Sequence, residues 1–161
     1  MSEISDLLER FRRGPELVAV ATTGASNQEL DFGPGSGKWT VRQIVCHLAD
    51  FEMVAAIRIR QVLCEDNPTL QAYDGNLWSQ HLDHATRKIS VAVEGFRRVR
   101  TETYDLLKSR PEDAFSRRAT HTELGPLTLH DILRNMAEHA ENHSRQMMAV
   151  RQAYKAAKAK A

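Results

Sequence analysis

Apolar residues recur three and four positions apart over four long stretches of the chain, and the intervals between them are polar or broken by glycine and proline. From 3 to 23, Ile4, Leu7, Leu8, Phe11, Leu17, Val18 and Ala21 mark one face, and Gly14-Pro15 within it predicts a helix that breaks or restarts. Residues 24–38 hold four glycines with Ser26, Asn27, Pro34 and Ser36 and no periodicity, which predicts a long loop. After Trp39, Thr40 is placed to N-cap a second helix with the stripe Ile44, Leu48, Phe51, Ala55 and Val62, running to about Cys64 before Asn67-Pro68.

A connection through Tyr73-Asp74-Gly75 leads to a third helical region, 77–109, with Ile89, Val93, Phe96, Thr103 and Leu107 on one face and room for a break near His84 to Arg87. Gly125-Pro126 reads as a turn. Thr128 and Asp131 form a capping box for a last helix that carries Ile132, Met136, Met147, Val150 and Tyr154 inward. No strand-like alternation of useful length and no internal repeat appears. The expectation is all-α: a four-helix bundle in an up-down arrangement with long connections and antiparallel neighbours, one domain over residues 1–161.

The informative positions are polar residues on faces that belong to the core. On the last helix, His139 and His143 lie within about 20° of the stripe centre, and being four apart they stack one turn above each other. Two imidazoles so placed can chelate one metal ion, and His47, about 60° from the centre of the second stripe, can supply a third nitrogen. Ordinary hydrogen bonding of buried imidazoles is the competing reading. Arg100 lies about 20° from the centre of the third stripe, and a core arginine needs a partner: either Asp50 or Glu52 as an ion pair, or an anionic substrate group. His81, His84 and His130 read as surface residues, and Cys46 as a small buried hydrophobe.

Composition narrows the partners. Lys plus Arg number 22 against 21 Asp plus Glu, so there is no basic excess for nucleic acid. Hydrophobic residues are 42% of the chain, no apolar run approaches membrane-spanning length, and the start MSEISDLLER is too polar for a signal peptide. Cys46 and Cys64, on one helix, are too far apart for a disulfide. The expectation is a soluble cytoplasmic protein acting on a small molecule.

Two segments carry a resemblance. Trp39-Thr40 through Gln43 to His47-Leu48-Ala49-Asp50-Phe51-Glu52 is similar to the W-[ST]-x-x-[EQ]-x-x-x-H-L-x-D-x-E signature of the DinB-like, YfiT-like superfamily. His121 to Leu129, followed by His139 to Gln146, resembles that family's H-x-E-L-G-x-[LV]-T-L and H-x-x-x-H-x-x-Q ending, with Ala140 and Asn142 where an acidic residue and a further histidine often stand. The resemblance implies a four-helix bundle, a divalent metal on His47, His139 and His143, and a homodimer. Zinc is the first choice of metal, with nickel or iron as alternatives. The reactions it implies include thiol S-transfer with a low-molecular-weight thiol cosubstrate. Beside these stand metal-dependent hydrolysis, with Asp50 or Glu138 as base, and a non-catalytic metal-binding module. Arg100, His121 and Asp50 are the candidates for supporting or substrate-binding roles.

Overall fold

The structure is a computed structural model that describes residues 2–160. Four helical units make the bundle. The first is α1 (Glu3–Arg12) followed by α2 (Gly14–Thr22), broken where Gly14-Pro15 predicts, with Pro at the start of α2 where its missing N–H costs nothing. The loop after it is not wholly irregular: Ser26 accepts from the Glu29 amide and caps a one-turn helix, α3 (Asn27–Leu30). One turn is too short for periodicity to reveal. Asp31 then pairs with Arg42 at 2.6 Å and Glu29 with Arg151 at 2.6 Å, stapling the loop to the second and last bundle helices.

The second unit is α4 (Val41–Cys64), opened by a capping box in which Thr40 and Gln43 satisfy each other's amides. The predicted third region divides. Asp74 caps α5 (Gly75–His81), a turn with Asp83 in the left-handed region follows, and α6 (Ile89–Leu107) is the third bundle helix. The fourth is α7 (Leu129–Ala159), with the predicted Thr128–Asp131 capping box formed.

Around the bundle, α1 and α2 pack on α6 and α7, and α4 packs on the same two, so the first and second units stand diagonally across the core. The long connection between Thr23 and Thr40 gives the chain the reach to cross that diagonal. Strands are present, against expectation. Thr69–Leu70 (β1) pairs in parallel with Arg118–His121 (β2), and β2 pairs antiparallel with Gly125–Thr128 (β3). Segments of two to four residues are too short to write an alternation. The hairpin turn falls at 122–124, ahead of the expected Gly125-Pro126, and Gly125 supplies the left-handed backbone (φ +74°) that a side chain would strain. Among the described residues no helix is long and apolar enough to cross a membrane.

At the centre, Arg100 is completely buried. Its Nε and Nη2 each donate to Glu52 at 2.7 Å, Nη1 donates to the Phe11 carbonyl at 3.0 Å and Nη2 also to that of Met136 at 3.4 Å, while the Phe11 and Phe96 rings flank the guanidinium. Gly14 makes room for it, since a Cβ there would meet Nη1 at 2.7 Å. Of the two expected readings the structure forms the ion pair, and a guanidinium closed to solvent is not available to a substrate. Replacing Arg100 alone with Met strands a buried carboxylate. It should lower unfolding free energy by about 3–5 kcal/mol in urea denaturation, whereas Arg100→Met combined with Glu52→Leu should recover most of that loss. A double variant as unstable as the single one would show that the pair itself carries the stability.

Candidate metal centre

Helix α4 presents His47 two turns after its cap, and α7 presents His139 and His143 one turn apart, where the two helices pack together. One ring nitrogen from each of the three lies within 4.8 Å of the others. His47 Nε2 and His139 Nε2 are 3.1 Å apart. Two lone pairs cannot face each other at that distance unless a proton or a cation lies between them. Nitrogens bound to one ion at about 2.1 Å stand roughly 3 to 3.5 Å apart, so the spacing fits a shared metal ion.

Neighbouring groups orient the rings. His143 Nδ1 lies 2.8 Å from Gln146 Oε1, an acceptor only, so Nδ1 carries the proton and Nε2 keeps its lone pair. Tyr73 Oη lies 3.3 Å from His47 Nδ1, which leaves Nε2 as the inward atom of that ring too. Trp39 packs on His47 (centroids 4.8 Å) and stacks with His143, while Phe51 packs on His139 at 4.5 Å. Gly75 backs the site: a Cβ there would meet His47 Cε1 and Nδ1 at 2.9 Å.

Burial, reinforced by the other histidines, pushes the His47 pKa down to about 3 and His139 to about 2, and burial lowers His143, against the Gln146 hydrogen bond. All three rings are therefore neutral at pH 7, the form that binds metal.

The remaining candidates fall elsewhere. Asp50 is buried, and its carboxylate accepts from Arg87 Nη1 at 2.8 and 2.9 Å and meets His84 Nε2 at 2.6 Å. It is locked against the connection between α5 and α6 and does not stand open as a base. His84 is thereby a correction: expected on the surface, it is wholly buried, because the turn after α5 folds it back onto α4. His130 is half-buried beside Glu3, and His81 is exposed as expected. Glu138 is exposed. His121 ties down its own turn, Nδ1 accepting the amides of Glu123 and Leu124 at 3.2 Å each. Sequence reasoning gave no role to Tyr73, Gly75 or Gln146. The spacing of Gln146 three residues after His143 was a usable signal for one of them.

His143 and Gln146 line a cleft of about 620 Å³ with Lys38, Trp39 and Asn76, so the triad opens to solvent on that side. On the other side Phe51 and Tyr73 separate it from a smaller, mainly apolar cavity.

Comparison with known proteins agrees with this arrangement. The model of the DinB superfamily matches residues 10–147. A protein of Oceanobacillus iheyensis named "putative metal-dependent hydrolase" is 29% identical over 143 residues, covering 89% of this chain and 78% of its own. A Bacillus subtilis protein, YfiT, with the same designation, is 29% identical over 130 residues, or 80% of this chain and 73% of its own. A solved structure of Bacillus subtilis YfiT, described as "a probable metal-dependent hydrolase with an unusual four-helix bundle topology", superposes with a TM-score of 0.87 at 25% identity, over 94% of this chain and 89% of that one.

The depressed histidines set a pH dependence for the metal-free protein. An unfolded histidine takes up a proton near pH 6.5 and these folded ones do not until about pH 3 or below, so stability is full above pH 6.5 and falls as pH drops below it. Each contributes a slope of up to about 1.4 kcal/mol per pH unit. Urea denaturation after chelation should show a decline between pH 6.5 and 5 that His139→Leu makes shallower. A flat profile for the parent chain would contradict the buried neutral assignment.

Proposed function

The chain belongs to the DinB superfamily, and from that premise we propose that it is a metal-dependent enzyme in which His47, His139 and His143 hold one divalent ion and present it to a small molecule in the 620 Å³ cleft. The observation that carries this reading is the convergence of three neutral ring nitrogens, two of them oriented by Tyr73 and Gln146, beside an opening to solvent. Three imidazoles leave coordination positions for a reactant, the arrangement of a catalytic site, and the opening counts against a purely structural ion. Zinc is the first expectation, with nickel or iron also suited to imidazole. A divalent ion bound there supplies Lewis acidity, which acidifies a nucleophile and polarises an electrophile.

Two nucleophiles separate the readings. Among the described residues no carboxylate joins the three histidines, Asp50 is held by Arg87 and His84, and Glu138 is exposed. That favours a nucleophile needing no strong general base, a low-molecular-weight thiol, transferred to an electrophilic substrate. Lys38 in the cleft is suited to pair with a carboxylate of such a thiol. The designation shared by the relatives favours hydrolysis as the second reading. In either case this chain's residues do the same work: Trp39 and Phe51 exclude water from the rings, Gln146 holds the proton at Nδ1 of His143, and Tyr73 contacts Nδ1 of His47 and so holds the orientation of that ring.

Elemental analysis of purified protein should give about one divalent ion per chain, lost in His143→Ala. Gln146→Leu should weaken metal affinity about 10- to 100-fold while leaving the fold unchanged by circular dichroism. Metal content indifferent to His143→Ala would remove the site.

The metal-loaded protein should join glutathione, bacillithiol or mycothiol to an electrophilic aromatic substrate, and His143→Ala should not. Cleavage of ester or amide substrates without thiol transfer would give the site to hydrolysis.

A further inference from the structure

Among the described residues, four arginines have no carboxylate within 4.0 Å. Arg110, Arg118 and Arg145 are exposed, whereas Arg58 is half-buried and lines the cavity of about 230 Å³ behind Phe51 and Tyr73. Its guanidinium makes one hydrogen bond to protein, Nη2 donating to the Gln71 carbonyl, and lies over the Phe51 ring, 5.7 Å from the centroid. Burial lowers its pKa, with no counter-charge offsetting that effect. A partly desolvated guanidinium with unspent N–H donors beside an apolar wall is suited to an anion, because taking a cation out of water costs free energy that an opposite charge offsets.

Other donors line the same cavity. His121 spends Nδ1 on the two backbone amides of its turn, so its neutral ring carries the proton at Nε2. Asn135, one turn before His139 on α7, adds a side-chain amide. Asp131 lines the cavity too, but its carboxylate is engaged by Thr128 in the capping box, and Glu123 belongs to the exposed turn. The rest of the wall is apolar, with Ala55, Leu70, Leu127 and Met136.

We propose that this cavity is a second binding site, for a small organic anion: a carboxylate whose charge pairs with Arg58 and whose aromatic or branched body lies against Phe51, Leu70 and Met136. The site shares one layer of side chains with the histidines. Phe51 packs on His139 and Tyr73 reaches His47, so a bound molecule rests against the back of the triad rather than in the cleft that His143 lines. Recognition by Arg58 does not require an ion on the triad, and the two sites stand or fall separately.

Benzoate is the probe, with benzamide as its uncharged counterpart, titrated calorimetrically into the metal-loaded full-length protein. Benzoate should bind with 1:1 stoichiometry, at least tenfold tighter than benzamide. Arg58→Met should weaken it tenfold or more, Arg58→Lys less, and His143→Ala should bind it as the parent chain does. In the parent chain's amide spectrum, benzoate should move Glu123, Leu124 and Asn135, a readout that stands even if Arg58→Met does not fold. No binding by the parent chain, equal affinity for benzamide, binding indifferent to Arg58→Met, or loss of binding in His143→Ala with shifts centred on Gln146 would each overturn the proposal.

Discussion

All four units of the bundle meet on one charged group. Arg100, on α6, gives two hydrogen bonds to Glu52 of α4 and one each to backbone carbonyls of α1 and α7, with no part of it reaching solvent. A buried ion pair of this kind is a weak source of net stability, because desolvation offsets most of the attraction. Its geometric demand is strict, since any slide of one helix leaves a buried charge or carbonyl unpaired. Glu52 lies little more than a turn beyond His47, and Met136 one turn before His139. The constraint that fixes the register of α4 against α7 is therefore the one that brings the histidine nitrogens within 4.8 Å.

The same logic explains why the triad tolerates its burial. Three histidines gathered in a partly apolar pocket repel as cations, and burial resolves this by keeping them neutral, with His47 near pKa 3 and His139 near 2. Neutral rings have one lone pair each, and the direction of that lone pair depends on what holds the other nitrogen. Gln146, an acceptor at 2.8 Å from Nδ1, decides it for His143, while Tyr73 holds the orientation of the His47 ring. The 3.1 Å approach of the His47 and His139 Nε2 atoms is satisfied by a proton or by a cation between them, and the Nε2 lone pair of His143 is left free beside that pair.

Much of this was legible in the chain. The caps at Thr40 and Thr128, the break at Gly14-Pro15 and the inward faces of α4, α6 and α7 follow from local chemistry acting over one or two turns. Periodicity also placed His139 and His143 on a core face and Arg100 among apolar neighbours. The failures share a physical cause. β1, β2, β3 and α3 are two to four residues long, too short to leave a period in the sequence, and β1 in addition finds its partner β2 about 50 residues on. The burial of His84 runs against expectation because it depends on the path of a turn, and the partners of Asp50 are not legible because a helical wheel gives the direction of a carboxylate without the arginine that reaches it from elsewhere.

The run His47-Leu48-Ala49-Asp50-Phe51-Glu52 then has a single mechanical meaning. At 100° per residue, Asp50 points about 60° and Glu52 about 140° from His47, so consecutive turns of α4 face three different partners. His47 meets the histidines of α7, Asp50 clamps the His84–Arg87 connection into α6, and Glu52 holds Arg100 in the core. Phe51, between them, packs on His139 and underlies Arg58 at the second cavity. A change at any one of these positions disturbs a different wall of the same site. Asp50 therefore influences the centre without touching it: the connection it clamps follows directly on α5, whose first residue, Gly75, sits against His47 and leaves no room for a side chain.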